Sequence, residues 1–399
     1  MSKNTNSYRL VPVGDFLRED VETVDPRNNP EEVFDLWSIP AHDNGRPEVV
    51  TGGQVGSHKK LVRPGDILLS KIVPHIQRSR VVFDSTNDNR IIASTEWIVF
   101  SSTLVNPLFL REVLTSEFFH RRFMETITGV GGSLARANPK AVSKIKIPFP
   151  PLGEQRKIAE ILRTWDEAIE TAEAELKAKQ ERKRWLAMRL ISGESRLSGC
   201  SGKWQKVRLA DLFERVMQKN EELCERCLTI SAEKGLVDQR EYFDRRISSA
   251  DTSGYFLMKR GDFAYNRSYS NGYPYGVVKR LNAFDVGTVT TLYLVFTPRN
   301  RTFDPLYMEH VFDSGILNKG LRTIVQEGAR AHGLLNVKAE DFFSLVVFIP
   351  DLNEQSKISK LLSDAQTQIT DCESHLELLR NQKRGLMQKL LTGEVRVAA

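Results

Sequence analysis

Between Ile358 and Leu390 the apolar residues keep a regular beat. Ile358, Leu362, Ala365, Ile369, Cys372, Leu376, Leu379, Lys383, Leu386 and Leu390 follow one another at spacings of four and three. The same beat stands 200 residues earlier, on Ile158, Leu162, Trp165, Ile169, Ala172, Leu176, Lys179, Lys183, Leu186 and Leu190. This is the a/d seam of a coiled coil, held over more than four heptads in each copy. Pro150-Pro151 and Pro350 mark the helix starts, and Gly193 and Gly393 the ends. A helix of roughly 39 residues at 1.5 Å each is roughly 60 Å long. A helix with such an apolar stripe needs a partner in water, and each copy finds one in the other. An antiparallel pair sets the end of the first helix beside the start of the second. The segment between them can then leave and return at one place. The expected product is a rod with a globular unit at each end and an approximate two-fold axis.

The repeat extends beyond the seam. "PPLGEQRKIAEIL" at Pro150 and "PDLNEQSKISKLL" at Pro350 align without a gap through "LISGE" and "LLTGE". The segments before each helix match more loosely. "LVRPGDILLSKI" resembles "FLMKRGDFAYNRS", and "TEWIVF" resembles "TLYLVF". A Gly-rich loop follows in each, "GVGGSLARANPKA" and "EGARAHGLLNVKA". Each segment reads as short strands, one helix after Asn106-Pro107 or Asp304-Pro305, a basic loop, and a final strand. The predicted organisation is a first recognition domain over 1–149, a helix over 150–197, a second recognition domain over 198–349 and a helix over 350–399. The fold class is α+β: two α/β recognition domains separated by a long antiparallel two-helix coiled coil. Similar helices with diverged heads suggest two different recognition surfaces on one ruler.

Charge changes this picture only locally. The net charge is +6. Residues 1–48 carry five Lys/Arg against ten Asp/Glu, whereas residues 49–149 carry fourteen against seven. A modest basic excess permits contact with nucleic acid without establishing it. No apolar run approaches a membrane span. The start, "MSKNTNSYRL", lacks the apolar core of a signal peptide, so the expected location is the cytoplasm. Cys224 and Cys227 form a lone C-x-x-C with no second pair for zinc and no thioredoxin-like setting, and they read as ordinary thiols.

Enzyme signals are poor. No Walker lysine motif, HExxH or GxSxG occurs, and no metal ligand cluster is apparent. Asp351, Glu354 and Lys357 carry the residue types of a metal nuclease but sit on one helix start. Helix capping is the better reading there, with Glu354 near the N-terminus favoured by the helix dipole. Nucleic-acid signals are better. "YNRSYSNGYPYG" interleaves Tyr265, Tyr269, Tyr273 and Tyr275 with Asn266, Arg267 and Asn271. Asn can bond adenine bidentately, Arg can bond guanine, and Tyr can reach phosphate or sugar. The bland alternative is a Gly-rich hairpin whose tyrosines pack on a sheet. The matching stretch of the first segment offers Lys71, His75, Gln77, Arg78 and Arg80. The Gly-rich loops offer Ser133, Arg136, Asn138 and Lys140, then Arg330, His332, Asn336 and Lys338.

Together the paired "GEQRKI…LISGE" and "NEQSKI…LLTGE" helices, the "RPGD" and "KRGD" turns and "NRSYSNGYPYG" resemble the specificity subunits of type I restriction–modification systems. The resemblance covers nearly the whole chain. It implies a non-catalytic subunit of a host-defence complex, with each recognition domain reading one half of a split, asymmetric site on double-stranded DNA. The helices would set the unread gap and receive two methyltransferase subunits, and two restriction subunits would complete the nuclease. S-adenosylmethionine, ATP and Mg would belong to those partners, with no cofactor in this chain. The competing classes are a coiled-coil scaffold with two protein-binding heads and a nuclease acting alone.

Overall fold

The computed structural model describes residues 8–85, 87–128, 135–221, 224–232, 234–243, 251–269, 272–299, 302–325 and 335–398. Its longest elements are the two expected helices, Leu152–Ile191 and Leu352–Thr392. All twenty seam positions named above are buried or half-buried, and most positions between them are exposed. Both helices end alike. Gly193 and Gly393 take left-handed φ of 74° and 77°. Just beyond, the amides of Ser195 and Val395 turn back to the carbonyls of Arg189 and Lys389. A residue with a Cβ is disfavoured at that φ, which is why glycine closes each helix.

The chain divides into two compact units, Met1–Glu173 with Ser374–Ala399, and Ala174–Glu373. Each therefore joins one globular segment to half of each long helix. In the first unit, Ile158 and Leu162 share a core with Leu390 and Leu391, so the start of the first helix lies with the end of the second. In the second unit, Leu190 and Ile191 share a core with Ile358 and Leu362. Within each unit the helix pair is antiparallel, as the connection argument requires.

A sheet buried on both faces occupies the middle of each globular segment. In the first unit, Ile67–Ser70 lies between Ser79–Val81 and Trp97–Phe100. Its alternate residues divide between two cores. Ile67, Leu69, Ile98 and Phe100 face the helices, and Leu68, Trp97 and Val99 face a second cluster with Trp37 and Val82. Period-two alternation with apolar residues on both faces explains why "ILLS" and "WIVF" are nearly continuous apolar runs. A five-stranded sheet follows, in the order Thr23–Val24, Lys59–Leu61, Arg90–Ala93, Val33–Trp37, Glu48–Thr51. The second unit repeats the plan. Its four-stranded sheet runs Phe213–Arg215, Tyr293–Pro298, Phe263–Asn266, Val277–Arg280. Phe263, Tyr265, Leu294 and Phe296 face the helices, and Ala264 and Val295 face the other way. A two-stranded ribbon leads into each long helix, Arg9–Pro12 with Lys146–Phe149 and Gln205–Arg208 with Val346–Ile349.

The repeated dipeptide Glu-Gln at each helix start is a pair of joints. Gln155 donates to the Pro150 carbonyl at 2.9 Å and accepts the Asn106 amide at 2.8 Å. Gln355 does the same with Pro350 at 2.8 Å and Asp304 at 2.8 Å. Each glutamine ties the long helix to the short helix that begins at the following proline. Glu154 receives both arms of Arg396, at 2.9 and 2.5 Å, and the Tyr8 hydroxyl at 2.9 Å. Glu354 receives both arms of Arg196, each at 2.6 Å. Arg396 also lies over the Tyr8 ring and Arg196 over the Trp204 ring. Glu354 also stands in the first turn, where the helix dipole favours a carboxylate. Its helix is capped by Asp351, which accepts the Glu354 amide at 3.0 Å, while the Glu354 carboxylate holds the segment that follows the other helix.

The "PGD" and "RGD" turns also match. Asp66 accepts the Arg63 amide at 2.8 Å and Asp262 the Lys259 amide at 2.7 Å. Gly65 and Gly261 supply φ of 89° and 98°.

The repeat departs from itself at one polar layer of the seam. In the first unit, Lys383 Nζ lies 2.6 Å from Asp166 and 3.3 Å from the buried Glu112. Arg111 joins the same two carboxylates. In the second unit the matching lysine, Lys183, donates to Gln366 at 2.6 Å. The place of Glu112 is taken by buried His310, whose pKa is pushed down by burial and then by the Lys183 charge.

Candidate nucleic-acid interface

In the first unit, two loops far apart in sequence are stitched side by side. The chain leaves strand Ile67–Ser70 at Lys71, whose carbonyl accepts the Ala137 amide at 2.8 Å. The Val73 amide donates to the Ala135 carbonyl at 3.2 Å. Both candidate stretches of this segment thus share one edge. On it, Arg136 makes a forked contact with Glu96 at 3.1 to 3.3 Å, which raises the Arg136 pKa. Lys71 Nζ stands 4.0 Å from the same carboxylate. Lys60 donates to the Trp97 carbonyl at 2.8 Å, and burial, then the Lys71 charge, push its pKa down. A cavity of about 240 Å³ opens between Arg18, Lys60, Lys71, Trp97 and Pro139. Asn138 caps the helix Pro139–Val142 by accepting the Lys140 amide at 2.9 Å, and Lys140 itself is exposed.

His75 and Gln77 are exposed. Arg78 and Arg80 have structural partners. Arg78 makes a forked pair with Asp43 at 2.7 and 2.8 Å. Arg80 lies 4.2 Å from the Trp37 ring centroid, with its pKa lowered chiefly by burial.

The second unit repeats the stitch, with the Leu335 amide on the Arg267 carbonyl at 2.7 Å. Its furnishing differs. The Arg267 guanidinium bridges the Leu292 carbonyl, at 2.9 and 3.1 Å, and the Val337 carbonyl, at 3.1 Å. It braces the join. Tyr265 is a core residue: fully buried, stacked 4.8 Å from Phe342, and donating to the Tyr275 carbonyl at 2.6 Å. Burial holds its pKa above the usual tyrosine range. For Tyr265 the bland hairpin alternative is therefore the right one. Tyr275 packs against the same core and Tyr273 is half-buried. Asn266 ends its strand half-buried, and Tyr269 is exposed. Gly276 closes the hairpin at a φ of 84°, where a Cβ would stand 2.3 Å from the Asn266 carbonyl oxygen. Asn336 and Lys338 are exposed on the stitched loop. Ser133, Asn271, Arg330 and His332 lie outside the described residues.

Two residues of the first edge were not singled out by sequence, Lys60 and Glu96. The signal was there for Glu96: in aligning "TEWIVF" with "TLYLVF", it stands opposite Leu292. Lys60 had no counterpart to flag it, since Phe256 holds its place. Among the described residues, no group of three or more His, Cys, Asp or Glu could hold a metal ion. The cysteines are unbridged. No described helix is long and apolar enough to cross a membrane.

Residues 22–180 match the family model for the type I restriction modification DNA specificity domain. The chain is 25% identical over 353 residues to the type I restriction enzyme MjaVIII specificity subunit of Methanocaldococcus jannaschii, covering 79% of each chain. It also resembles three solved structures. One is an HsdS subunit from Thermoanaerobacter tengcongensis, at 18% identity and a TM-score of 0.50, covering 99% of both chains. A second comes from a study of assembly and conformational transition in the type I R-M system. It is 18% identical with a TM-score of 0.63, covering 99% of this chain and 100% of that one. The third is a type I S subunit from M. genitalium, at 12% identity and a TM-score of 0.55, covering 98% of both. At these identities the structural likenesses establish the shared fold.

Proposed function

We propose that this chain, whose residues 22–180 match the type I restriction modification DNA specificity domain, is a specificity subunit, and that each of its units reads one half of a bipartite, asymmetric DNA sequence. The reading rests on one observation above all. Both units build the same loop-to-loop edge on the same buried sheet, and they furnish it with different side chains. The first edge offers Lys60, Lys71, Arg136 and Lys140, and the second Tyr269, Asn336 and Lys338. Lysine and arginine supply phosphate contacts, whose strength falls with salt, while Asn, Gln and Arg supply base-edge choice. A common frame with unlike edges suits an asymmetric site.

The chain does no chemistry in this reading. A methyltransferase partner brings S-adenosylmethionine and methylates adenine, and restriction subunits bring ATP and Mg, all in the cytoplasm with the DNA. Exposed Leu10 and Leu152 in the first unit, and Phe348 and Leu352 in the second, occupy matched ribbons and helix starts. Such apolar positions suit two copies of one partner. The long helices, each passing through both units, set the number of unread base pairs.

The test is the methylated motif itself. Methylation-sensitive sequencing of the host genome with and without this gene should show one bipartite adenine-methylated motif disappear. An unchanged set of motifs would refute the reading. Gel shifts with the methyltransferase partner separate it from a protein-binding scaffold, which would show no preference over random duplex.

A further inference from the structure

The stitched edge of the first unit contains a carboxylate where a DNA-binding surface has least use for one. Among the described residues, Lys71 and Arg136 both face Glu96. Arg136 grips it with two guanidinium nitrogens, Nε at 3.1 and 3.3 Å and Nη2 at 3.2 Å. That fork is the geometry with which arginine also holds a phosphate. The pair is partly open to water, with the Arg136 side chain 43% and the Glu96 side chain 23% exposed. An ion pair so exposed holds its partners weakly and is readily exchanged. Lys60 is different. Half-buried, it is anchored to the Trp97 carbonyl beside the 240 Å³ cavity. Among the described residues, the second unit has Leu292 at the matching position, and Arg267 meets the Leu292 and Val337 carbonyls.

We propose that Glu96 is an internal counter-anion. It occupies Arg136 and Lys71 in the free protein and is exchanged for a DNA phosphate on binding. Its function is to suppress binding to DNA of arbitrary sequence. A phosphate must displace Glu96 before it gains these two cations. Only a duplex whose base contacts hold it in place completes the exchange, so the carboxylate lowers non-specific more than specific affinity. The inference rests on the DNA-recognition reading and adds to it a residue that sets discrimination.

The experiment uses the full-length chain and fluorescence anisotropy with a labelled random-sequence duplex across a salt series. Glu96→Gln should tighten random-duplex binding by about three- to fivefold. It should steepen the log–log salt dependence by about one unit, one more cation being free to displace counterions. Glu96→Asp, which keeps the charge but retracts the carboxylate, should gain less. Combining Glu96→Gln with Arg136→Gln should remove most of the gain. Equal or weaker random-duplex binding by Glu96→Gln, at an unchanged melting temperature, would show a brace and overturn the proposal. If Glu96→Gln is unstable, Glu96→Asp decides in the same way. A wild-type chain that binds specific duplex normally while neither variant shifts random binding defeats this inference alone. A wild-type chain with no affinity for any duplex, with or without its methyltransferase partner, defeats the DNA reading and this inference with it.

Discussion

Lys183 and Lys383 hold the same place in the seam and face different company. Lys383 is enclosed by Asp166 and Glu112, and Glu112 is buried. Without Lys383 the two carboxylates share one cation, Arg111, and one negative charge is left uncompensated beside buried Glu112. Lys383→Met should therefore destabilise the first unit by about 3 kcal/mol. Lys183 has burial lowering its pKa and hydrogen-bonds only an amide among the contacts described. An apolar side chain suits such a site, and Lys183→Met should change stability by less than about 1 kcal/mol in either direction. Urea denaturation of the two variants checks both. Glu154 gives a pH dependence. The forked bond from Arg396 is the chief cause that lowers its pKa. A carboxyl with a depressed folded-state pKa contributes stability that is fully present above its unfolded value, about 4.3. That contribution is lost as pH falls through the folded value. Arg396→Gln should move the acid unfolding transition to higher pH, measured by thermal melts across pH 3 to 7, roughly the span in which carboxyls titrate. No shift would mean the latch contributes nothing to acid stability.

Elements with a local signature were readable in advance, and elements that depend on distant partners were not. The helix seams follow from heptad spacing, and all twenty positions are at least half-buried. The period-two pattern in "FAYN" also placed Tyr265 on the same face as Phe263, which is why it is core; the surrounding Gly, Asn and Tyr obscured that signal. Arg78 and Arg267 carry no such cue. Their partners, Asp43 and the Leu292 carbonyl, are remote in sequence. The "EQ" pair was visible as a repeat, but its meaning lies in Arg396, Arg196, Asn106 and Asp304, which only folding assembles. Those joints make a symmetric prediction. Gln155→Ala and Gln355→Ala each leave a carbonyl and an amide without their partner. Each should cost about 2 to 3 kcal/mol. A large loss in one and none in the other would show that the two joints are not equivalent. Calorimetry on both variants measures it.

For the molecule as a whole, the continuity of the helices carries the functional claim. Each passes from one unit to the other without a break, the first at Glu173 and the second at Glu373. Inserting about four residues, one helical turn, after Leu176 should lengthen the unread spacer of the methylated motif or abolish methylation. An active variant that methylates with the original spacer would contradict the ruler. The candidate edges were not fully readable from sequence, because residues such as Glu96 and Lys60 acquire partners only when the chain folds.

The division into units also bears on synthesis. The second unit is one unbroken stretch, Ala174–Glu373, whereas the first must wait for Ser374–Ala399. A ribosome moving along this message therefore completes the later-encoded unit before the earlier one. Until the last turns emerge, Ile158 and Leu162 lack Leu390 and Leu391, and Glu154 lacks Arg396. Released chains truncated after residue 373 should thus be cut by protease in the N-terminal region while the 174–373 stretch already resists.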